Sequence, residues 1–430
     1  MDEHIQRSLD YLEEHLKAEI SPADLAAQAG YSPWHFSRLF ARETGQPVAQ
    51  YMLRRRLDRA LGEIAAGSRA IDTVLSYGFE TYSGFYRAFV RLYGCSPRKY
   101  LRLYGGAVTT KTEAVMKHYT KRELKQVLGR WGMEKAEIGE VPVMYDGRPD
   151  ETEWAVDGSC VLRTGDRVRL LKNLQVTTAL AAHGFKAEVP VPTADGEDFA
   201  EADGVFVLSR VMPGSPLKPT ACYGEHSPAR AVGEGIARLH DALRDVAAEV
   251  PHDRGDLLGS LLEWALPAVR LQDEQWSLGL GEAFFAGWRE RFEALYPQLP
   301  RQLIHRNPCP SYVLMAEGEV TGFRQFDMLE DEVRLFDLCY AATGILSETT
   351  EEALCPAWLT VLEELVRGYD GASPLTEAER QALPDMLCAI QMISVAYFGE
   401  HEIDRELARR NRDMLRFIAA RREEIAAIAL

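Results

Sequence analysis

Short apolar repeats dominate the first hundred residues. Phe36, Leu39 and Phe40 fall at i, i+3 and i+4, and Phe85, Phe89 and Leu92 repeat the stripe later in the chain. Each stripe predicts a helix with one buried face. Ser21-Pro22 supplies an N-cap followed by a proline at the first helical position. Gly30 ends that helix, and Ser32-Pro33 opens the next. The run from Ile71 to Gly78, leading into Tyr82, repeats the same punctuation. A helix from about residue 51 to 65 joins the halves. The pattern predicts an all-α unit of two tandem helix-turn-helix modules.

Beyond residue 120 the periodicity changes. Residues 121–128 read as one more helix, ending near Gly132. Strand-like segments follow at 138–145, 153–156 and 159–163, separated by turns at 146–149 and at Asp157-Gly158. A helix over about 170–183 precedes an extended, proline-containing stretch at 189–193. Residues 205–211 read as a buried strand that ends at Pro213-Gly214. After Pro228 the chain is mostly helical. The exception is 303–338, which alternates like a hairpin with turns at Glu317-Gly318 and Glu330-Asp331. The expected fold class is therefore multidomain: the all-α unit over 1–106, a short hinge at 107–119, and a bilobal α+β domain over 120–430. Its small lobe spans about 120–214 and its helical lobe about 215–430.

Composition excludes several classes. The 430 residues are 46% apolar and 27% charged, as expected of a packed globular protein. No apolar run approaches the length of a membrane span, and the start, MDEHIQRSLD, lacks the pattern of a secretory signal. Seven scattered cysteines without Cys-x-x-Cys spacing fit a cytoplasmic protein with neither a disulfide framework nor a zinc site. The net charge of −16 is unevenly spread. Residues 1–106 hold 14 basic and 12 acidic residues, whereas the rest holds 35 and 53. Phosphate would be repelled by the second part, so contact with double-stranded DNA is expected of the first.

The outward faces of the two second helices carry the candidate DNA-binding residues. These are Trp34, His35, Ser37, Arg38 and Arg42 in one module, and Thr81, Tyr82, Ser83, Tyr86 and Arg87 in the other. Arg38 and Arg87 occupy equivalent positions, where a guanidinium can reach guanine or phosphate. The run Arg54-Arg55-Arg56 on the joining helix is either a solvated face or a further phosphate contact. The segments Gly30-Tyr31-Ser32-Pro33-Trp34-His35-Phe36-Ser37-Arg38-Leu39-Phe40, Gly78-Phe79-Glu80, Phe85-Tyr86-Arg87-Ala88-Phe89 and Tyr93-Gly94-Cys95-Ser96-Pro97 resemble the AraC/XylS-type DNA-binding domain over residues 5–104. The resemblance implies two recognition helices entering successive major-groove segments of one duplex.

The larger part resembles the aminoglycoside/choline kinase branch of kinase-like phosphotransferases over about 120–425. Ser159-Cys160-Val161-Leu162-Arg163 resembles the third strand, and Ile236-Ala237-Arg238-Leu239-His240 a leucine-histidine helix. Residues 303–314, with His305-Arg306-Asn307, resemble the catalytic loop. Val320-Thr321-Gly322-Phe323-Arg324-Gln325-Phe326 resembles the metal-binding strand. Phosphoryl transfer uses a catalytic-loop Asp as base, with an Asn and a second Asp holding Mg²⁺. The matching positions carry Asn307, Tyr312 and Gln325. A neutral amide cannot act as a base, and these three cannot form the usual magnesium site. Arg163 stands where the resemblance implies a phosphate-contacting Lys. No catalytic residue, metal or cofactor is therefore expected.

These observations predict a DNA-binding transcription regulator of the AraC family. Its kinase-like domain would be a pseudokinase that senses a small-molecule effector, with RNA polymerase as a further partner and no membrane contact. Candidate ligand-binding residues are Asn307, Gln325, Asp327, Glu330, Asp331 and Glu400. The acidic ones suit a cationic effector such as an aminoglycoside or another amine. Two alternatives stay open: an active small-molecule phosphotransferase tethered to DNA, and a protein-interaction module.

Overall fold

The computed structural model describes residues 3–18, 20–44, 47–65, 69–79, 81–93, 97, 119–142, 149–165, 167–202, 204–224, 227–276, 278–349, 352–399 and 405–428. The chain forms two compact units, Met1–Tyr119 and Thr120–Leu430. Of the hinge expected at 107–119, all but Tyr119 lies outside the described residues.

Among its described residues the first unit shows the helices α1 (Glu3–Glu14), α2 (Pro22–Gln28), α3 (Pro33–Thr44), α4 (Val48–Ala65), α5 (Ala70–Ser76) and α6 (Tyr82–Tyr93). Ser21 and Asp24 cap α2 reciprocally, the Asp24 carboxylate accepting from Ser21 N at 2.8 Å. Gly30 (φ 75°) and Gly78 (φ 83°) turn the chain in the left-handed region that favours glycine. Both turns close alike, Tyr31 N donating to Ala26 O and Phe79 N to Val74 O. One core receives Phe36 and Phe40 from α3 and Phe85 and Phe89 from α6, together with Leu25, Leu57 and Val74.

Two arginines of the joining-helix run have partners inside the first unit. Arg55 is buried and grips Glu13 of α1, with Nη2 2.8 Å from Oε2. Arg59 reaches the same carboxylate at 3.0 Å. Arg56 donates to the carbonyls of Leu16 and Ala18. Two of the three cations in the run therefore tie α4 to the start of the chain, because these side chains are long enough to satisfy polar groups at a helix junction.

The second unit opens on α7 (Lys121–Leu128), capped by Thr120 and Glu123. An antiparallel sheet follows: β1 (Ile138–Pro142), β2 (Pro149–Val156), β3 (Cys160–Thr164), β4 (Ala200–Ala202) and β5 (Gly204–Arg210), in the order β1-β2-β3-β5-β4. Residues 143–148 lie outside the described residues. Helix α8 (Arg167–Ala182) joins β3 to the following extended segment. A large helical core then gathers around α9 (Ala229–Val246), with Trp288, Trp358, Leu383 and Leu415 buried in it.

Six short strands follow in two three-stranded sheets: β6 (Ser215–Pro216), β7 (Asp253–Arg254), β8 (Arg301–Ile304), β9 (Val313–Ala316), β10 (Glu319–Phe323) and β11 (Glu330–Val333), in the orders β10-β9-β6 and β7-β11-β8. β9 and β10 form a hairpin whose turn, Glu317-Gly318, has positive φ at both positions. The second expected turn is a correction. Glu330-Asp331 lies within β11, antiparallel to β8 and parallel to β7. The acidic run forms a strand because its fully buried Glu332 is satisfied from within, accepting from Leu257 N, Tyr296 Oη and Arg301 Nη1. The chain continues through α10 (Leu335–Glu348) and α11 (Trp358–Ala372) to three further helices, Glu377–Gly399, Arg405–Ala420 and Arg422–Ile428.

Candidate functional site

In the first unit the core claims the apolar side of α3 and leaves the other side outward. Trp34 is 68% exposed, and the Arg38 guanidinium stacks 4.7 Å from its ring centre. His35, Ser37 and Arg42 are exposed beside them. Arg42 pairs with Glu43 at 2.9 Å. On α6, Tyr82 and Arg87 are exposed and Tyr86 is half-buried. Thr81 has a structural use as well, since its Oγ1 accepts from Gly84 N at 2.9 Å. The Ser83 side chain lies outside what the structure describes.

In the second unit the loop joining β8 to β9 is held from beneath by a buried polar network. Asp337, at the start of α10, accepts from His305 N and Arg306 N, each at 2.8 Å. Its Oδ2 also lies 3.0 Å from His240 Nε2, and His240 Nδ1 lies 2.7 Å from the Tyr369 hydroxyl of α11. Burial alone would raise the Asp337 carboxyl. The His240 hydrogen bond and charge, with the His305 contacts, outweigh that and hold it below the usual range.

His305 spans the two strands of interest. Its Nδ1 accepts from Asn307 N at 3.2 Å, and its Nε2 lies 2.9 Å from Arg324 O, leaving Nε2 as the protonated nitrogen. Burial lowers its basicity, consistent with a neutral ring. One imidazole thus brings Asn307 and the backbone just before Gln325 together. Arg306 (φ 72°) and Gln325 (φ 66°) both occupy the left-handed region without being glycine. Such conformations persist where surrounding structure over-determines them, commonly at functional sites.

The side chains in this frame are unusual for phosphate chemistry. Asn307, Tyr312, Gln325 and Asp327 are half-buried. Burial, and then nearby Cys309 and the Asp327 and Glu153 charges, push the Tyr312 phenol up to about 12. The Asp327 charge also acts on His305. Glu330 and Asp331 stand apart from this group because each has an internal partner. Arg306 Nε lies 3.0 Å from Glu330 Oε2 while its guanidinium covers the Phe336 ring at 4.0 Å, and Arg301 lies 3.4 Å from Asp331. Glu400 lies outside the described residues.

A four-member ion network that the sequence does not reveal ties β2 and β3 to the residue after β10. Arg163 Nε contacts Glu153 Oε1 at 2.7 Å, and its two terminal nitrogens grip Glu188. Arg324, from the end of the β9–β10 hairpin, reaches Glu153 at 2.6 Å and Glu188 at 3.2 Å. Two guanidinium groups therefore neutralise two carboxylates. Burial would raise Glu153, but Arg163 and Arg324 hold it below the usual range. Arg163 alone was visible as a departure in the sequence; its partners come from residues far apart in the chain. The magnesium ion of the kinase fold does not fit this donor set. Asn307, Tyr312 and Gln325 offer no carboxylate, and among the described residues no three His, Cys, Asp or Glu side chains converge on a metal-sized site.

Residues 149–380, more than half of the chain, match the phosphotransferase enzyme family. The chain belongs to that family. Residues 25–103 match a helix-turn-helix domain, so an AraC-type DNA-binding unit is fused to a kinase-like one. A homoserine kinase of Phenylobacterium zucineum is 31% identical over 209 residues, covering 48% of this chain and 60% of that protein. The right origin-binding protein of Escherichia coli is 36% identical over 99 residues, covering 23% of this chain and 34% of that protein. The chain therefore spans less than two thirds of either relative. An HTH-type transcriptional activator of Providencia stuartii is 33% identical over 97 residues, covering 22% of this chain and 72% of that protein. The fold is also that of an aminoglycoside phosphotransferase from Alicyclobacillus acidocaldarius, with TM-score 0.51, 13% identity, and coverage of 75% of this chain and 97% of that one. A microcompartment-associated aminopropanol kinase gives TM-score 0.50 and 18% identity, covering 71% of this chain and 97% of that one. No helix among the described residues is long and apolar enough to cross a membrane.

Proposed function

We propose that this DNA-binding transcription regulator uses its kinase-like domain to bind a small-molecule effector without transferring phosphate. One observation carries the reading: the guanidinium of Arg163 is committed to Glu153 and Glu188, and Arg324 completes the neutral cluster. A nucleotide polyphosphate would have to displace buried carboxylates to reach either cation. The neutral side chains of Asn307, Tyr312 and Gln325 are consistent with this, since they provide neither base nor metal ligand. Trp34, Arg38, Tyr82 and Arg87 would read DNA, and RNA polymerase is the partner through which promoter output would change. The effector would lie beside Asn307, Gln325 and Asp327.

The similarity to a homoserine kinase favours a second reading, an active kinase. Asp327 is its best candidate base, a half-buried carboxylate acting on His305 and Tyr312. A radiolabelled-ATP assay with Mg²⁺, homoserine, amino alcohols and aminoglycosides separates the two. No product above background is expected. Turnover that vanishes in Asp327→Ala would establish the kinase instead.

A further inference from the structure

The acidic unit carries a basic face that neither reading above uses. Residues 138–430 hold 28 basic and 49 acidic residues, a net of −21. Helix α7 departs from this balance. Lys121, Arg122 and Lys125 are all exposed, and they make no ion pair among the described residues. Together with Gln126 and Glu134 they line an open groove of about 500 Å³. Glu123, the acid within the helix, turns its carboxylate to the helix start, where it accepts from Thr120 N and Oγ1 at 2.8 Å each. Arg130, just beyond, pairs with Asp195 at 3.2 Å.

We propose that this face of α7 contacts the phosphate backbone of duplex DNA, extending the contact made by the helix-turn-helix unit; the inference rests on that unit binding DNA. Charge selects the partner. A unit this acidic is repelled by DNA except where a local patch reverses the sign, and three fixed cations on one short helix do so. The chain adds a tether: α7 begins within some thirty residues of α6, so DNA held by the first unit meets α7 at raised effective concentration. The helix is also fixed in place. Leu124, Val127 and Leu128 are buried in the second unit, and the Thr120–Glu123 capping box secures its start. With that apolar side already packed, α7 has none left to enter a bilayer. The contacts would be to phosphate, so they would add affinity and salt dependence without adding base preference.

The test compares the full chain with Lys121→Gln/Arg122→Gln/Lys125→Gln on a mixed-sequence duplex of about 50 bp, titrated across a series of salt concentrations. Circular dichroism should show the same helix content and melting for both proteins. The variant should bind more weakly at low salt, by about tenfold, and its slope of log affinity against log salt should be shallower by about 2–3. The charge reversal Lys121→Glu/Lys125→Glu should weaken binding further. Equal affinity and slope in wild type and variant would overturn the proposal while leaving the helix-turn-helix reading intact. A wild-type chain that binds no duplex would remove both. Unchanged DNA binding with lost binding to purified RNA polymerase would also overturn it, in favour of a protein partner.

Discussion

Removing the Arg324 guanidinium should loosen the cleft in a way that depends on pH. Arg324→Met keeps length and apolar stem but deletes two charge-assisted contacts, at 2.6 Å to Glu153 and 3.2 Å to Glu188. Breaking a buried pair commonly costs about 3–5 kcal/mol when the remaining charge has no other partner. Here Arg163 still holds both carboxylates, and Arg324 is 19% exposed, so water can replace part of what is lost. About 2–3 kcal/mol is therefore expected at neutral pH, on the scale of one or two charged hydrogen bonds. The folded-state carboxyl of Glu153 is depressed, so its contribution is present above its unfolded value and disappears as pH falls through the folded one. In the variant that carboxyl titrates at higher pH than in the wild type. The penalty should thus be greatest near neutrality and shrink as pH falls below the usual carboxylate range toward the depressed folded value. Because two units need not unfold together, amide hydrogen exchange in β2 and β3 is the suitable readout. Protection there should fall by about 30- to 160-fold at pH 7, the equivalent of the stated energy. Arg324→Lys should recover only part of it, since an ammonium cannot reproduce the two-carboxylate fork. Wild-type protection in Arg324→Met at pH 7, or a penalty that grows toward acid, would refute the reasoning.

Asp337→Asn should destabilise the second unit by about 3 kcal/mol or more, because it removes the charge that receives two buried backbone N–H groups and His240. The wild-type contribution of this depressed carboxyl should fade as pH drops through its folded value, measurable as a steeper acid limb in wild type than in the variant. Arg55→Met should cost the first unit about 2–4 kcal/mol in chemical denaturation through loss of the Glu13 contact. It should leave the salt slope of DNA binding unaltered; a reduced slope would show that Arg55 meets phosphate. Arg38→Ala or Arg87→Ala should weaken site-specific binding by about 1–3 kcal/mol where the guanidinium reads a base. Unchanged affinity and unchanged site preference in both would sink that assignment.

Much of the fold was legible because it rests on local signals. The glycine at each helix-turn-helix corner, the proline after Ser21, the apolar i, i+3, i+4 stripes and the Glu317-Gly318 turn are properties of neighbouring residues. The cleft was legible in its backbone elements and much less in its side-chain partnerships. Asn307, Tyr312 and Gln325 could be placed by order along the chain, yet nothing local joins Arg163 to Glu188 or Arg324 to Glu153. The charge runs hid partners for the same reason: within Arg54-Arg55-Arg56 and Glu330-Asp331-Glu332, Arg55 and Glu332 are buried against partners supplied by other elements.

That partnering changes what the cleft can be expected to hold. An acidic surface attracts a polycation only while its carboxylates remain uncompensated. Glu330 is matched by Arg306, Asp331 and Glu332 by Arg301, and Glu153 and Glu188 by Arg163 and Arg324. Asp327 is the candidate acid with no hydrogen bond or ion pair among the described residues, and like Asn307 and Gln325 it is half-buried. On the effector reading proposed above, one uncompensated carboxylate suits one ammonium better than several positive charges. That proposed reading favours a compact amine over a large polycation. It also sets the scale of any control the effector exerts, since a ligand shifts an equilibrium only by its difference in affinity for the two states. One ion pair and a few hydrogen bonds that differ between states would supply roughly 1–3 kcal/mol of coupling, enough to change DNA affinity by about 5- to 150-fold.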